Sequence, residues 1–237
     1  MGRIFQTRKA TMFKRYAKMA KAFTKIGREI VMAVKLGGPN PDSNPRLRMV
    51  IQNAKAVNMP KVNVESAIKR ATEKDSTNYD EVIYEGYAPH GVPVLVECTT
   101  NNPTRTVASV RMYFSRANGA LSTNGSVSFM FDHVVLFKID AGSLNKDELE
   151  LELIDFGLED ITFDEDHKQY IIQTQFSDYG KMQHALEERH INVIETSKVY
   201  APTTTKELSA DHEAEVMAMI EKMEEDDDIE AVYHNIA

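Results

Sequence analysis

A chain of 237 residues with 42% hydrophobic and 27% charged side chains is long enough for one or two cored domains and has the make-up of a soluble globular protein. Its net charge of −8 argues at first sight against an affinity for phosphate, and its single cysteine excludes a disulfide framework and a paired-cysteine metal site. The total hides an asymmetry, because residues 1–75 carry 17 Lys or Arg against 5 Asp or Glu and residues 76–237 carry 11 against 31. Such segregation predicts a basic binding module joined to an acidic body.

The first predicted element is a long helix within residues 10–36. Tyr16, Ala20, Phe23, Gly27, Ile30 and Val34 recur at alternating steps of four and three, which keeps one side of a helix against a core. Lys14, Lys18, Lys21, Lys25 and Arg28 repeat two positions earlier, on nearly the opposite side at about 100° per residue, with Lys35 seven residues beyond Arg28 and Arg15 at the shoulder. The stripe would run for about 32 Å at about 1.5 Å per residue. A solvating face normally mixes Glu with Lys, yet no acid occurs before Glu29. That imbalance points to nucleic acid. The basic, amphipathic start imitates a mitochondrial presequence, but the core-facing pattern runs on without a break and reads as mature structure.

Gly37 and Gly38 supply a helix stop, and Pro39 and Pro41 forbid continuation. Asn44 caps a second helix with Pro45 at its first position, Arg46 and Arg48 add charge there, and Leu47, Val50 or Ile51, Ala54 and Val57 form its apolar side. Asn63 is the expected cap of a third helix reaching about Lys74, with Val64, Ala67, Ile68 and Ala71 inward. Three helices with short loops make a bundle over residues 1–78.

From Tyr79 the period becomes that of strands. A hairpin turns at His90-Gly91, Asn102 caps a helix that ends near Asn118-Gly119, and a strand is expected over Ser126–Phe131. The order βαββαβ follows from His133 to about Ala201, which is the ferredoxin-like split βαβ arrangement. The closing helix, from about Lys206 to Glu225, and the strand from Ile229 to Tyr233 are too little to fold alone. The expectation is an α+β chain of three domains: the basic helical domain 1–78, a discontinuous α/β domain of 79–131 plus 202–237, and a ferredoxin-like domain of 132–201 inserted in it.

Little else suggests chemistry. The seven histidines are scattered without zinc-ligand spacing, and the acidic runs 159–166 and 226–228 lack calcium-loop spacing, so neither metal nor cofactor is assigned. No nucleophile motif or dinucleotide fingerprint occurs, and no enzymatic activity is expected. Cys98 lies in an apolar run and reads as a buried strand thiol in a reducing, cytoplasmic compartment. No apolar run is long enough to span a membrane. Arg105, at a helix first turn, is either a second anion contact or, on the plainer account, half of a surface ion pair. A monomer is the expectation.

The runs FTKIGREIVMAVKLGGPNPDSNPRLR, NMPKVNVESAIKRA, YEGYAPHG, NPTRTVASVRMYFSRANGALSTNGSVSFMF and DDDIEAVYHN resemble the YebC family, which includes the mitochondrial translational activator of cytochrome c oxidase. The resemblance covers nearly the whole chain. It implies a three-domain α/β protein with an inserted third domain, and one of two roles: a DNA-binding transcriptional regulator, or a ribosome-associated translation factor that relieves stalling on proline-rich stretches. Lys25, Arg28, Gly37, Gly38, Asn44, Pro45, Arg46 and Arg48 match the family pattern. The start Gly2-Arg3-Ile4-Phe5-Gln6 departs from the usual Gly-His-Ser-Lys-Trp type, so contacts carried by that His or Trp do not transfer. A stripe made mostly of lysine binds phosphate as point charges and reads bases poorly, which suits ribosomal RNA or tRNA better than a promoter.

Overall fold

The computed structural model describes residues 3–73 and 77–237, with side chains from residue 19 onward. The chain divides into two compact units, Met1–Tyr79 and Asp80–Ala237. The first contains helices α1 (Arg3–Gly37), α2 (Pro45–Ala56) and α3 (Lys61–Thr72). Helix α1 packs against both of the others, so over one turn it is covered on every side, and Ile30, Val31, Met32, Ala33 and Val34 are all buried. This is wider than the single expected stripe. Of that stripe, Gly27, Ile30 and Val34 are buried, Phe23 is half-buried and Ala20 is exposed.

The expected start of α3 is corrected. Pro60, not Asn63, holds the cap position, and the helix begins at Lys61 with no side-chain cap. Val64, Ala67 and Ala71 face inward as the spacing predicts, with Ile68 half-buried. On α2, Leu47, Met49, Val50 and Ala54 are buried, while Val57 lies past the end of the helix and is exposed.

The second unit holds two four-stranded antiparallel sheets. Strands β1 (Asp80–Ala88) and β2 (Val92–Thr100) form the hairpin, with His90 and Gly91 both at positive φ in its turn. Helix α4 (Pro103–Arg116) and the two-residue strand β3 (Ala120–Leu121) follow. Next come β4 (Phe131–Asp140), α5 (Lys146–Leu153), β5 (Leu158–Asp164), β6 (Gln169–Gln175), α6 (Tyr179–Glu188) and β7 (Val193–Pro202). Helix α7 (Ala210–Glu224) and β8 (Ile229–His234) close the chain.

One sheet has the order β3-β1-β2-β8 and the other β5-β6-β4-β7. The second order places β6 between β4 and β5, with β7 on the other side of β4, as a split βαβ requires. Its core is Val135, Phe137 and Ile139 of β4 with Leu149 and Leu153 of α5 and Met182 and Leu186 of α6. In the first sheet, Val94, Val96 and Cys98 of β2 meet Val110 and Phe114 of α4 and Val216, Ile220 and Met223 of α7. Strand β8 pairs with β2 across more than a hundred residues of intervening chain.

Two element expectations change here. The strand expected over Ser126–Phe131 is a loop and a short 3-10 turn up to Met130, and the edge strand is Ala120–Leu121 instead. The cause is Glu85. Its carboxylate, 4% exposed, accepts the backbone N–H groups of Gly125 (2.7 Å), Val127 (2.7 Å) and Ser128 (2.9 Å), which removes them from any ladder. Helix α7 starts at Ala210, where Ser209 caps it, rather than near Lys206. Lys206 instead forms a parallel bridge with Ile236.

A candidate nucleic-acid interface

The described cationic residues of the first unit sit on α1, α2 and α3. Lys14, Arg15 and Lys18 lie outside the described side chains. Lys21, Lys25 and Arg28 are half-buried rather than fully outward, because α1 is flanked on two sides. The Arg28 guanidinium lies over the Tyr79 ring, 5.5 Å from its centroid. Lys35 is exposed and fastens the last turn of α1 to the segment after α3, donating to the carbonyl of Thr77 (2.8 Å) and to Asn78 Oδ1 (2.5 Å).

The α1–α2 junction explains why its residue types occur together. Asn44, 3% exposed, accepts the Leu47 N–H through Oδ1 (3.0 Å) and donates through Nδ2 to the carbonyls of Ala33 and Gly38 (2.8 Å each). One amide thus caps α2 and closes the end of α1. Gly37 must lack a side chain, since a Cβ there would stand 2.7 Å from the Asn44 amide. Gly38 has φ of +84° and returns its N–H to the Val34 carbonyl at 2.8 Å, a left-handed helix stop. Pro45 takes the first position of α2, where no N–H is needed.

Arg48 is tied into the same loop. Its Nη1 donates to the carbonyls of Pro41 (3.1 Å) and Asp42 (2.9 Å), so it orders the loop from within. Arg46 is half-buried in the first turn of α2. The residues of the Gly37–Arg48 stretch are therefore brought together, and their visible work is to hold a rigid turn.

Ser66, Arg70 and Glu73 carry no sequence signal of a site, and Asn63, the expected cap, lies in line with them. Their spacing of three, four and three puts them on one face. That face and α1 enclose a cleft of about 830 Å³. Phe23, Gly27, Val31 and Met59 line it with apolar surface, and Arg28, Lys69, Arg70, Asn63, Ser66 and Tyr79 supply charge and hydrogen-bonding groups. Among the described lining residues Glu73 is the one acid.

Arg105 belongs to the second unit and is held there in an ion pair. Its Nη2 meets Asp228 Oδ2 at 2.6 Å, and Thr106 (3.0 Å) and Thr100 (3.2 Å) donate to the same oxygen. Burial would raise the Asp228 carboxyl, but these donors outweigh it and hold it below the ordinary value. Cys98 is fully buried in β2, and burial, with carboxylates nearby, pushes its thiol far above the usual range. No group of three His, Cys, Asp or Glu among the described residues is placed to hold a metal ion. No described helix is long and apolar enough to cross a membrane.

Comparison with known proteins bears on the whole chain. Residues 3–74 match the family described as the TACO1/YebC protein N-terminal domain, and residues 79–236 match the TACO1/YebC second and third domain. A probable transcriptional regulatory protein of Flavobacterium psychrophilum is 53% identical over 100% of this chain and 99% of its own length. One of Anaeromyxobacter dehalogenans is 49% identical, with full coverage of both chains. A crystal structure of a conserved hypothetical protein from Aquifex aeolicus superposes with a TM-score of 0.78 at 36% identity, covering 92% of this chain and 90% of that one. The chain belongs to the TACO1/YebC family.

Proposed function

We propose that the chain is a non-enzymatic translation factor that docks on ribosomal RNA or tRNA through its basic first unit and relieves stalling at proline-rich stretches. The observation that carries this reading is the concentration of cations on one helical unit, 17 against 5 acids over residues 1–75, in a chain whose total is −8. Lysine predominates on α1, and an ammonium group contacts phosphate without discriminating bases. Such a surface suits a folded RNA recognised by its backbone. The acidic remainder disfavours other orientations on a polyanion.

A second reading rests on the relatives, which carry the name of probable transcriptional regulatory proteins. On it the same cations would bind duplex DNA and select a sequence.

Replacing Lys18, Lys21, Lys25 and Arg28 together by Glu separates these from an uninvolved surface. The expected result is loss of co-sedimentation with ribosomes and of read-through at a proline run, with the thermal midpoint retained. Unaltered co-sedimentation would discredit the proposal. Titrating one operator and one scrambled duplex at matched salt divides the two readings. Equal affinities, both falling with a log–log salt slope of about −5 for roughly six phosphate contacts on a duplex, mark backbone binding. A preference for the operator favours the regulator.

A further inference from the structure

Building on the RNA-docking reading, we propose that the cleft between α1 and α3 receives a single unpaired nucleotide, its base against the Arg28–Tyr79 wall and its phosphate at Lys69 and Arg70.

The cleft has a composition that phosphate contact alone does not require. Backbone neutralisation needs cations on a convex or flat surface, where many phosphates pass. Here a concave site of about 830 Å³ has an apolar lining from Phe23, Gly27, Val31 and Met59 beneath a cationic rim. Its size falls within the ~300–1,000 Å³ of small-ligand sites. A base is the part of a polyanion that gains from leaving water, and it does so only where the strand is unstacked.

The walls match the two halves of such a ligand. Arg28 over Tyr79 makes a guanidinium–aromatic pair, and both components are surfaces on which bases stack. On α3, Lys69 and Arg70 stand beside Asn63 and Ser66, so cations for phosphate adjoin an amide and a hydroxyl able to meet a base edge or ribose. Gly27 lets the Arg70 guanidinium lie close to α1 inside the cleft: a Cβ there would stand 4.0 Å from Arg70 Nη2. A duplex cannot present a base in this way. The proposal therefore adds preference for an unpaired segment to a surface otherwise indifferent to sequence.

The full chain can be titrated with a short unpaired RNA carrying one fluorescent purine analogue, and with a blunt RNA duplex of equal phosphate number at matched salt. The expected result is tighter binding of the unpaired RNA, with quenching of the analogue as it stacks. Tyr79→Leu should abolish the quenching and weaken the unpaired RNA about tenfold while leaving the duplex unchanged. Tyr79→Phe should restore both. Arg70→Gln, on the rim, should weaken the unpaired RNA and serves where Tyr79→Leu fails to fold. Equal affinity for the two RNAs, or equal weakening of both by Tyr79→Leu, would overturn the cleft assignment while the docking surface stands. Displacement of the RNA by an acidic aromatic peptide at equal concentration would also overturn it. Failure of the wild type to bind either RNA would bring down both proposals.

Discussion

The two units use charge in opposite ways. In the first, cations sit on helices around a cleft and a rigid turn, and the buried polar group that matters, Asn44, is neutral. In the second, acids are turned inward as ties: Glu85 gathers three backbone N–H groups, and Asp228 joins the start of α4 to the turn before β8. Net charge is thus a poor guide to surface character. Part of the acidic surplus of the second unit is internal, whereas the turn of the first unit is closed by a neutral amide.

Removing the principal tie should have the largest effect on stability. Glu85→Ala leaves three N–H groups without their acceptor, and hydrogen bonds to a charged group contribute about 1.5–3 kcal/mol each, though not additively. A loss of about 3 kcal/mol in chemical denaturation is expected, with faster amide exchange at Gly125, Val127 and Ser128. A change below about 1 kcal/mol would mean that the loop is held by Phe131, Val127 and Leu95, which pack beside it.

The corresponding break in the first unit is Gly37→Ala, whose Cβ displaces the Asn44 amide and with it the cap of α2 and the closure of α1. About 2 kcal/mol is expected, between the value of a helix cap and that of a buried amide left unpaired. If the comparison holds, melting should begin in the helices while the sheets keep their exchange protection.

Acid provides a milder test. Burial would raise the Glu85 carboxyl, but its backbone donors outweigh this and hold it below the ordinary value, as Arg105 and the threonines do for Asp228. A depressed carboxyl contributes stability that is complete above its unfolded pKa, about 4, and is lost as pH falls through the folded value. The second unit should therefore weaken in acid before the first. Glu97 has the opposite sign: burial raises its carboxyl despite the Tyr233 hydroxyl and Lys198, so Glu97→Gln should stabilise slightly at neutral pH. A flat response between pH ~5 and ~3 would show that the inward acids contribute nothing as ions.

Much of the chain was legible before any coordinates, and the reason is range. Asn44-Pro45 and Asn102-Pro103 announce helix starts because a cap acts over three residues, and both side chains accept the N–H three positions on. Gly38 and the His90-Gly91 turn were readable from local backbone needs. The α1 pattern was readable only in part: periodicity showed a buried side, but coverage by two partners buries every residue from Ile30 to Val34.

The sequence by itself determined the succession of helices and strands, the cap and turn residues, the split βαβ order and the separation of basic from acidic chain, since each depends on neighbours within a turn or a strand. Tertiary structure alone decided that Glu85 would convert an expected strand into a loop forty residues away, that β8 would join β2, that Arg48 would be bound by its own turn, and that the outer side of α3 would face α1 across a cleft. Those outcomes depend on which buried groups meet once the core has closed, and no local spacing encodes that meeting.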